Sequence, residues 1–229
     1  MLIIGHRGAS GYAPENTVEA FKLALIQKAH GIECDVFQIE GTSSVIIHDF
    51  HLDRTTNGKG FVPDCTLTDI RRLNAGNGNK VPVLSELFEC LNETTWCNLE
   101  LKYIEDIHAW VDEIKRLLAA YPYIVNKLVI SSFNHPWLRE IANQMPTVKI
   151  AYLIAHYPLH IVKTIKEFDA FAVNVDINII NQKLVDVIHS NNQQVWVFTV
   201  NKLEDMKRCR AMGVDGIFTN YPDIALDCI

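Results

Sequence analysis

Four short stretches of the sequence combine residue types that can do chemistry together: Gly5-His6-Arg7-Gly8, Glu33 and Asp35 either side of Cys34, His48-Asp49, and Glu100 and Lys102 either side of Leu101. If each lies at the end of a β-strand, alternation of side chains puts Glu33 and Asp35 on one face and Glu100 and Lys102 on one face. Three carboxylates and a lysine then converge. Anions so crowded repel strongly in a cleft unless a cation sits among them, and an all-oxygen donor set suits a hard divalent ion, Mg²⁺ or Ca²⁺. His6 and His48 are the natural general acid and base, because imidazole titrates near neutral pH. Arg7 and Lys102 are fixed cations fit to hold a phosphoryl group, the first by a bidentate fork and the second as a point charge. Taken singly, a strand-end acid is more often a solvated rim group and a strand histidine more often structural. Two same-face pairs beside two histidines with charged neighbours favour a functional site. The other seven histidines, such as His108, His135 and His189, fall in helices or loops without acidic company and read as surface residues.

The elements that must position these groups are legible as short β-branched runs alternating with segments of helical period, the pattern of βα units around a parallel sheet. Strands are expected at 2–6, 32–37, 45–48, 98–102, 128–132, 149–154, 171–175, 195–200 and 216–219. Helices are expected at 17–28, 85–92, 107–120, 136–143, 159–167, 181–191 and 203–212, the first capped by Asn16 with Glu19 three residues later. The link between the second and third strands is too short for a parallel crossover, so the third strand returns as an antiparallel hairpin. Eight parallel strands remain, which closes a (βα)8 TIM barrel with an extra hairpin. Functional groups in that architecture project from the C-terminal strand ends. About residues 50–83 turn rich in Asp, Thr, Asn and Gly and read as a flap inserted on the catalytic rim, short of apolar anchors and therefore the least rigid element of that face.

Composition agrees with a soluble globular chain: 229 residues, 48% apolar and 21% charged, with 11 glycines and 8 prolines. With no linker, repeat or charged tail, residues 1–229 read as one domain. A net charge of −6 argues against a general nucleic-acid or anionic-membrane binder. There is no apolar run long enough for a membrane anchor and no signal-peptide pattern at the start, so a cytoplasmic protein is expected. The six cysteines form no CxxC pair and read as reduced thiols.

The strings GHRGASGYAPENT, ECD, IIHDFHLDRTTNGKG, LELK, VFTVN and DGIFTNYPD, in this order along nearly the whole chain, resemble the glycerophosphodiester phosphodiesterases. The resemblance implies that His6 and His48 act as general acid and base. It also implies that Glu33, Asp35 and Glu100 ligate a divalent metal, Mg²⁺, Ca²⁺ or alternatively Mn²⁺, and that Arg7 and Lys102 hold the phosphate. The reaction would be hydrolysis of a small-molecule glycerophosphodiester, such as glycerophosphocholine or glycerophosphoethanolamine, to glycerol 3-phosphate and an alcohol. Two positions depart from the family's pattern, Phe198 where Trp is usual and Asn220 where Asp is common, and neither is expected to touch the catalytic set. Two rivals remain. A metal-dependent barrel lyase leaves the histidines and Arg7 without a shared task, and a phosphodiester-binding barrel without turnover has no need of both histidines.

Overall fold

A computed structural model describes all residues except 158, 168 and 229. The strands are β1 (Leu2–His6), β2 (Gly31–Ile39), β3 (Ser43–Ile46), β4 (Trp96–Tyr103), β5 (Leu128–Ser132), β6 (Lys149–Ile154), β7 (Ala172–Asp176), β8 (Gln194–Phe198) and β9 (Gly216–Thr219). The helices are α1 (Val18–Ile26), α2 (Leu67–Ile70), α3 (Leu84–Phe88), α4 (Ile107–Ala120), α5 (His135–Gln144), α6 (Ile161–Glu167), α7 (Gln182–His189), α8 (Leu203–Met212) and α9 (Pro222–Leu226). Eight strands pair in parallel in the order β1-β9-β8-β7-β6-β5-β4-β2, and β1 pairs with β2 to close the barrel. β3 runs antiparallel along the outer part of β2, with Val36 opposite Ile46 and Phe37 opposite Val45. The expected TIM barrel with an extra hairpin is therefore the observed one.

Alternation along the strands divides the core. Outward residues such as Ile3, Cys34, Leu99, Leu101 and Val197 join the helices in the main apolar layer, while Ile4, Val129, Ala151, Ala172, Trp196 and Phe218 fill the lower barrel. At 25 cal/mol per Å², each large side chain so buried contributes roughly 2 kcal/mol. Gly31 matters in that lower layer, since a Cβ there would lie 2.7 Å from the Cβ of Trp96. Above it the interior turns polar, with Asn98 Nδ2 donating to Ser131 Oγ at 2.8 Å and Asn174 Nδ2 to Asn98 Oδ1 at 3.4 Å. The apolar plug thus raises the charged residues of the same strands to the C-terminal rim.

Two local expectations are corrected. Thr17, not Asn16, caps α1: its backbone is extended (φ −117°) and its side chain accepts from the N–H of Ala20. Asn16 has φ 57° and is turned inward instead. The flap is not short of apolar anchors either. Leu52, Val62, Ile70, Ala75 and Val81 pack with Phe37, Ile39, Val45 and Ile47 into a second core. The spacing of those flap residues follows no simple period, so only the packed turn reveals the cluster. All six cysteines are free. Among the described residues no helix is long and apolar enough to cross a membrane.

Candidate active site

The site grows from the β1 end. Gly8 has φ 81°, and a Cβ there would come within 2.5 Å of the backbone of Ala20, so only glycine lets this turn lie against α1. Arg7 just before it also has positive φ, 58°, a conformation that a non-glycine residue holds only when its surroundings fix it. Those surroundings are the carboxylates of β2. The backbone N–H of Arg7 donates to Glu33 Oε2 at 2.8 Å, and the guanidinium Nε lies 3.1 Å from Asp35 Oδ2. Asn16 holds the same aspartate, with Nδ2 donating to Asp35 Oδ2 at 2.8 Å and Oδ1 accepting from the Asp35 N–H at 3.3 Å.

Register across the closed sheet brings the third acid in. His6 pairs with Glu33, and Asp35 with Glu100. One ligand atom from each of Glu33, Asp35 and Glu100 lies within 4.8 Å of the others. Glu33 Oε1 and Asp35 Oδ1 are buried without a hydrogen-bond partner. Burial pushes the Glu33 carboxyl well above the usual carboxylate range, and the charges of Asp35 and Glu100 add to it. Glu100 is raised for the same two reasons, burial and Asp35. Orphaned oxygens in a mutually repelling set fit a hard divalent cation, which this cluster could hold.

Cations and imidazoles surround the acids. Lys102 Nζ donates to Glu100 Oε1 at 2.7 Å and lies 3.8 Å from Asp35 Oδ1. Burial disfavours its ammonium, but Glu100 and Asp35 outweigh that and raise its pKa. The same Nζ is 3.3 Å from His48 Nε2, while His48 Nδ1 donates to Asp49 Oδ1 at 2.5 Å. His6 Nδ1 donates to Asn220 Oδ1 at 2.8 Å, which leaves Nε2 with its lone pair. Burial, helped by Arg7, lowers the His6 pKa to about 4. The structure therefore brings all seven expected residues to one rim. It also corrects the expectation that Asn220 stands clear of them, because Asn220 is the partner of a histidine 214 residues away in sequence. A second correction concerns the remaining histidines: His189 Nε2 does have an acidic neighbour, Asp215 Oδ2 at 2.8 Å, and His30 Nδ1 accepts from the N–H of Ile3.

Residue-by-residue reading of the sequence missed the groups that tie these parts together. Glu15 accepts from Arg7 at 2.7 Å and from both terminal nitrogens of Arg54 at 2.8 Å. Arg54, on the flap, also donates to Asp49 through Nε at 2.5 Å and Nη2 at 3.0 Å. A continuous chain of charge thus runs His48–Asp49–Arg54–Glu15–Arg7–Asp35. Burial opposes ionisation of Glu15, but Arg54 and Arg7 outweigh it and hold its pKa at about 2. The Arg54 hydrogen bond does the same for Asp49 and holds it far below the usual range. Glu15 and Arg54 are signalled in the sequence only by their place in the strings PENT and LDRTTNGKG, and Asn16 reads there as a helix cap and not as a partner of Asp35.

The glycerophosphoryl diester phosphodiesterase family matches residues 6–224 of the chain. A glycerophosphodiester phosphodiesterase of Caldanaerobacter subterraneus is 35% identical over 100% of this chain and 97% of its own length. One from Bacillus subtilis is 30% identical over 98% and 85%. Among solved structures, an Oleispira antarctica phosphodiesterase in complex with the product sn-glycerol-3-phosphate superposes with a TM-score of 0.91 at 26% identity, covering 100% of this chain and 96% of that one.

Proposed function

Since the chain belongs to the glycerophosphoryl diester phosphodiesterase family and is a phosphodiesterase of glycerophosphodiesters, we propose that it hydrolyses esters such as glycerophosphocholine and glycerophosphoethanolamine by acid–base catalysis from His6 and His48. The whole chain acts as one catalytic domain, and a cytoplasmic location suits a small water-soluble substrate. The observation that carries the reading is the rim constellation itself: three carboxylate oxygens within 4.8 Å, flanked by Arg7, Lys102 and two hydrogen-bonded imidazoles.

Glu33, Asp35 and Glu100 would hold the metal, and their all-oxygen donor set favours Mg²⁺, Ca²⁺ or Mn²⁺. A bound divalent ion supplies Lewis-acid polarisation of a phosphoryl oxygen. Arg7 and Lys102 bind the remaining phosphoryl oxygens and offset the charge that grows on them. The partners of the histidines differ and so separate their roles. His6 is held by a neutral amide with its Nε2 lone pair free, which suits the base that deprotonates the nucleophile, a substrate hydroxyl or water. His48 has its Nδ1 hydrogen held by the Asp49 carboxylate, which fixes the ring with Nε2 toward the site, and so suits the acid that protonates the departing alcohol. Lys102, now near His48 Nε2, moves onto the phosphoryl oxygen when the ester binds and frees that nitrogen for the proton.

The test uses two esters. A p-nitrophenyl diester needs no protonation of its leaving oxygen, so His48→Ala should lose far less activity on it than on glycerophosphocholine. His6→Ala should lose both alike. Equal proportional loss in both variants overturns the assignment. Exhaustive chelation should abolish turnover and added Mg²⁺, Mn²⁺ or Ca²⁺ should restore it; full activity in chelator sinks the metal site.

A further inference from the structure

Asn220, the partner of His6, follows β9 directly, and its backbone is tied down from both sides. Its carbonyl accepts from the N–H of Gly11, in the loop after β1, at 3.0 Å. Its N–H donates to Asn201 Oδ1 at 2.9 Å, and the Thr219 hydroxyl donates to the same oxygen at 3.4 Å. Thr219 is fully buried, and its Oγ1 also accepts from the N–H of Tyr221 at 3.1 Å. Asn201 lies just past the end of β8, where the neighbouring Val200 N–H donates to Phe218 O of β9 at 2.8 Å. One side-chain oxygen on the loop after β8 therefore gathers two donors from the end of β9, where the chain presents an amide to the histidine of β1.

We propose that Asn201 is a positioning residue for the base: it fixes the backbone of Asn220 so that the acceptor end of the amide, and not its donor end, stays on His6 Nδ1. The proposal rests on the reading of His6 as the base and adds the residue that keeps its ring in the working tautomer. An amide has one oxygen that accepts and one nitrogen that donates, on two branches of the same carbon. With Asn220 Oδ1 at 2.8 Å, the ring carries its hydrogen on Nδ1 and leaves Nε2 with a lone pair. With the amide turned about or withdrawn, the hydrogen is free to sit on Nε2, and a ring so protonated cannot take up a proton there. The amide and the neutral imidazole carry no net charge, so no long-range attraction restores the first arrangement. A carboxylate in place of the amide would accept through either oxygen and would need no such holding. Removal of the Asn201 oxygen leaves the Asn220 N–H and the Thr219 hydroxyl without that acceptor and frees the turn on which the tautomer depends.

The experiment is NMR of ¹⁵N-histidine-labelled protein beside kinetics on glycerophosphocholine, both at pH 8 in excess Mg²⁺. The His6 signals, among those of nine histidines, are assigned by their loss in His6→Ala. In the wild-type protein the hydrogen should be on Nδ1. Asn201→Ala should shift His6 toward the Nε2–H form and lower kcat about tenfold with KM within about twofold, a part of the roughly 10²–10⁴ that a correctly held base supplies. Asn201→Asp, which keeps an acceptor oxygen, should restore both readings. With Asn220→Asp in place, Asn201→Ala should leave the tautomer alone and cost less than about threefold in kcat. Should Asn201→Ala not fold, Asn201→Ser, whose hydroxyl is too short to reach both donors, carries the same readings. An Nε2 hydrogen in the wild-type protein, an unmoved tautomer in Asn201→Ala, or a shift as large with Asn220→Asp as without it overturns the proposal, whatever the activity. A tautomer shift with kcat unchanged upholds the positioning and overturns His6 as the base. If the ester is not turned over at all, the phosphodiesterase reading fails and the tautomer alone decides the role of Asn201.

Discussion

Replacing Glu33 by Gln should stabilise the metal-free protein. At an effective dielectric of about 20, two like charges at the 4.8 Å limit of the carboxylate cluster repel by about 3 kcal/mol. Glu33 faces two such partners, Asp35 and Glu100, and the attraction of Arg7 offsets roughly one of them. Proton uptake relieves part of the remainder, which leaves a net penalty of about 2 kcal/mol at neutral pH. Glutamine keeps a carbonyl oxygen for the Arg7 N–H and removes the charge. For a chain of this length that is a rise in Tm of about 4 to 8 °C in chelator. The pH dependence has a fixed sign. Because the folded pKa of Glu33 lies above its ordinary value, its burden is absent below the usual carboxylate range and grows as pH rises through the folded pKa. The advantage of Glu33→Gln should therefore vanish near pH 4 and widen toward pH 8. Scanning calorimetry in EDTA and in Mg²⁺ reads both effects: the wild-type protein should gain stability from the metal and the variant little. A variant less stable than wild type in chelator at pH 8, or one with an undiminished metal shift, would refute the repulsion argument and with it the role of Glu33 as a ligand.

Arg54→Ala should lower kcat on glycerophosphocholine about tenfold while changing stability by less than about 1 kcal/mol, because the side chain is half exposed and acts by holding Asp49 and Glu15. Arg54→Lys should rescue little, since a point charge cannot grip two carboxylates as a fork does, and unchanged kcat in both variants removes the flap from the catalytic network. Asn220→Asp puts a carboxylate on His6 Nδ1, so the acidic limb of the kcat/KM pH profile should move to higher pH; an unmoved limb denies that His6 is the base. Glu15 has a folded pKa depressed to about 2, so its ion pairs stabilise the fold above the ordinary carboxylate range and are lost as pH falls toward 2. Acid unfolding followed by circular dichroism should accordingly be shallower in Glu15→Gln, and an identical acid transition would show that those pairs do not stabilise the fold.

What the sequence alone determines here is set by short-range rules. Glu33 and Asp35 share a face because strand side chains alternate, and so do Glu100 and Lys102. A link of a few residues between β2 and β3 permits only a hairpin, which leaves eight parallel strands and a closed barrel. Those two facts, with His6, Arg7 and His48 falling at or just beyond strand ends, place the seven expected residues on one rim. The tertiary structure decided everything that joins distant segments. The Asn220 amide reaches His6 because it follows β9, which pairs with β1; barrel closure is legible in the sequence, but which side chain beyond β9 meets the imidazole is not. Arg54 and Glu15 meet because the flap folds back on a core whose members, such as Leu52 and Val81, have no periodic spacing. Even the cap of α1 was a tertiary choice. Asn16 and Thr17 are both good capping residues, and the buried Asp35 carboxylate draws Asn16 into a left-handed turn, which leaves Thr17 to start the helix.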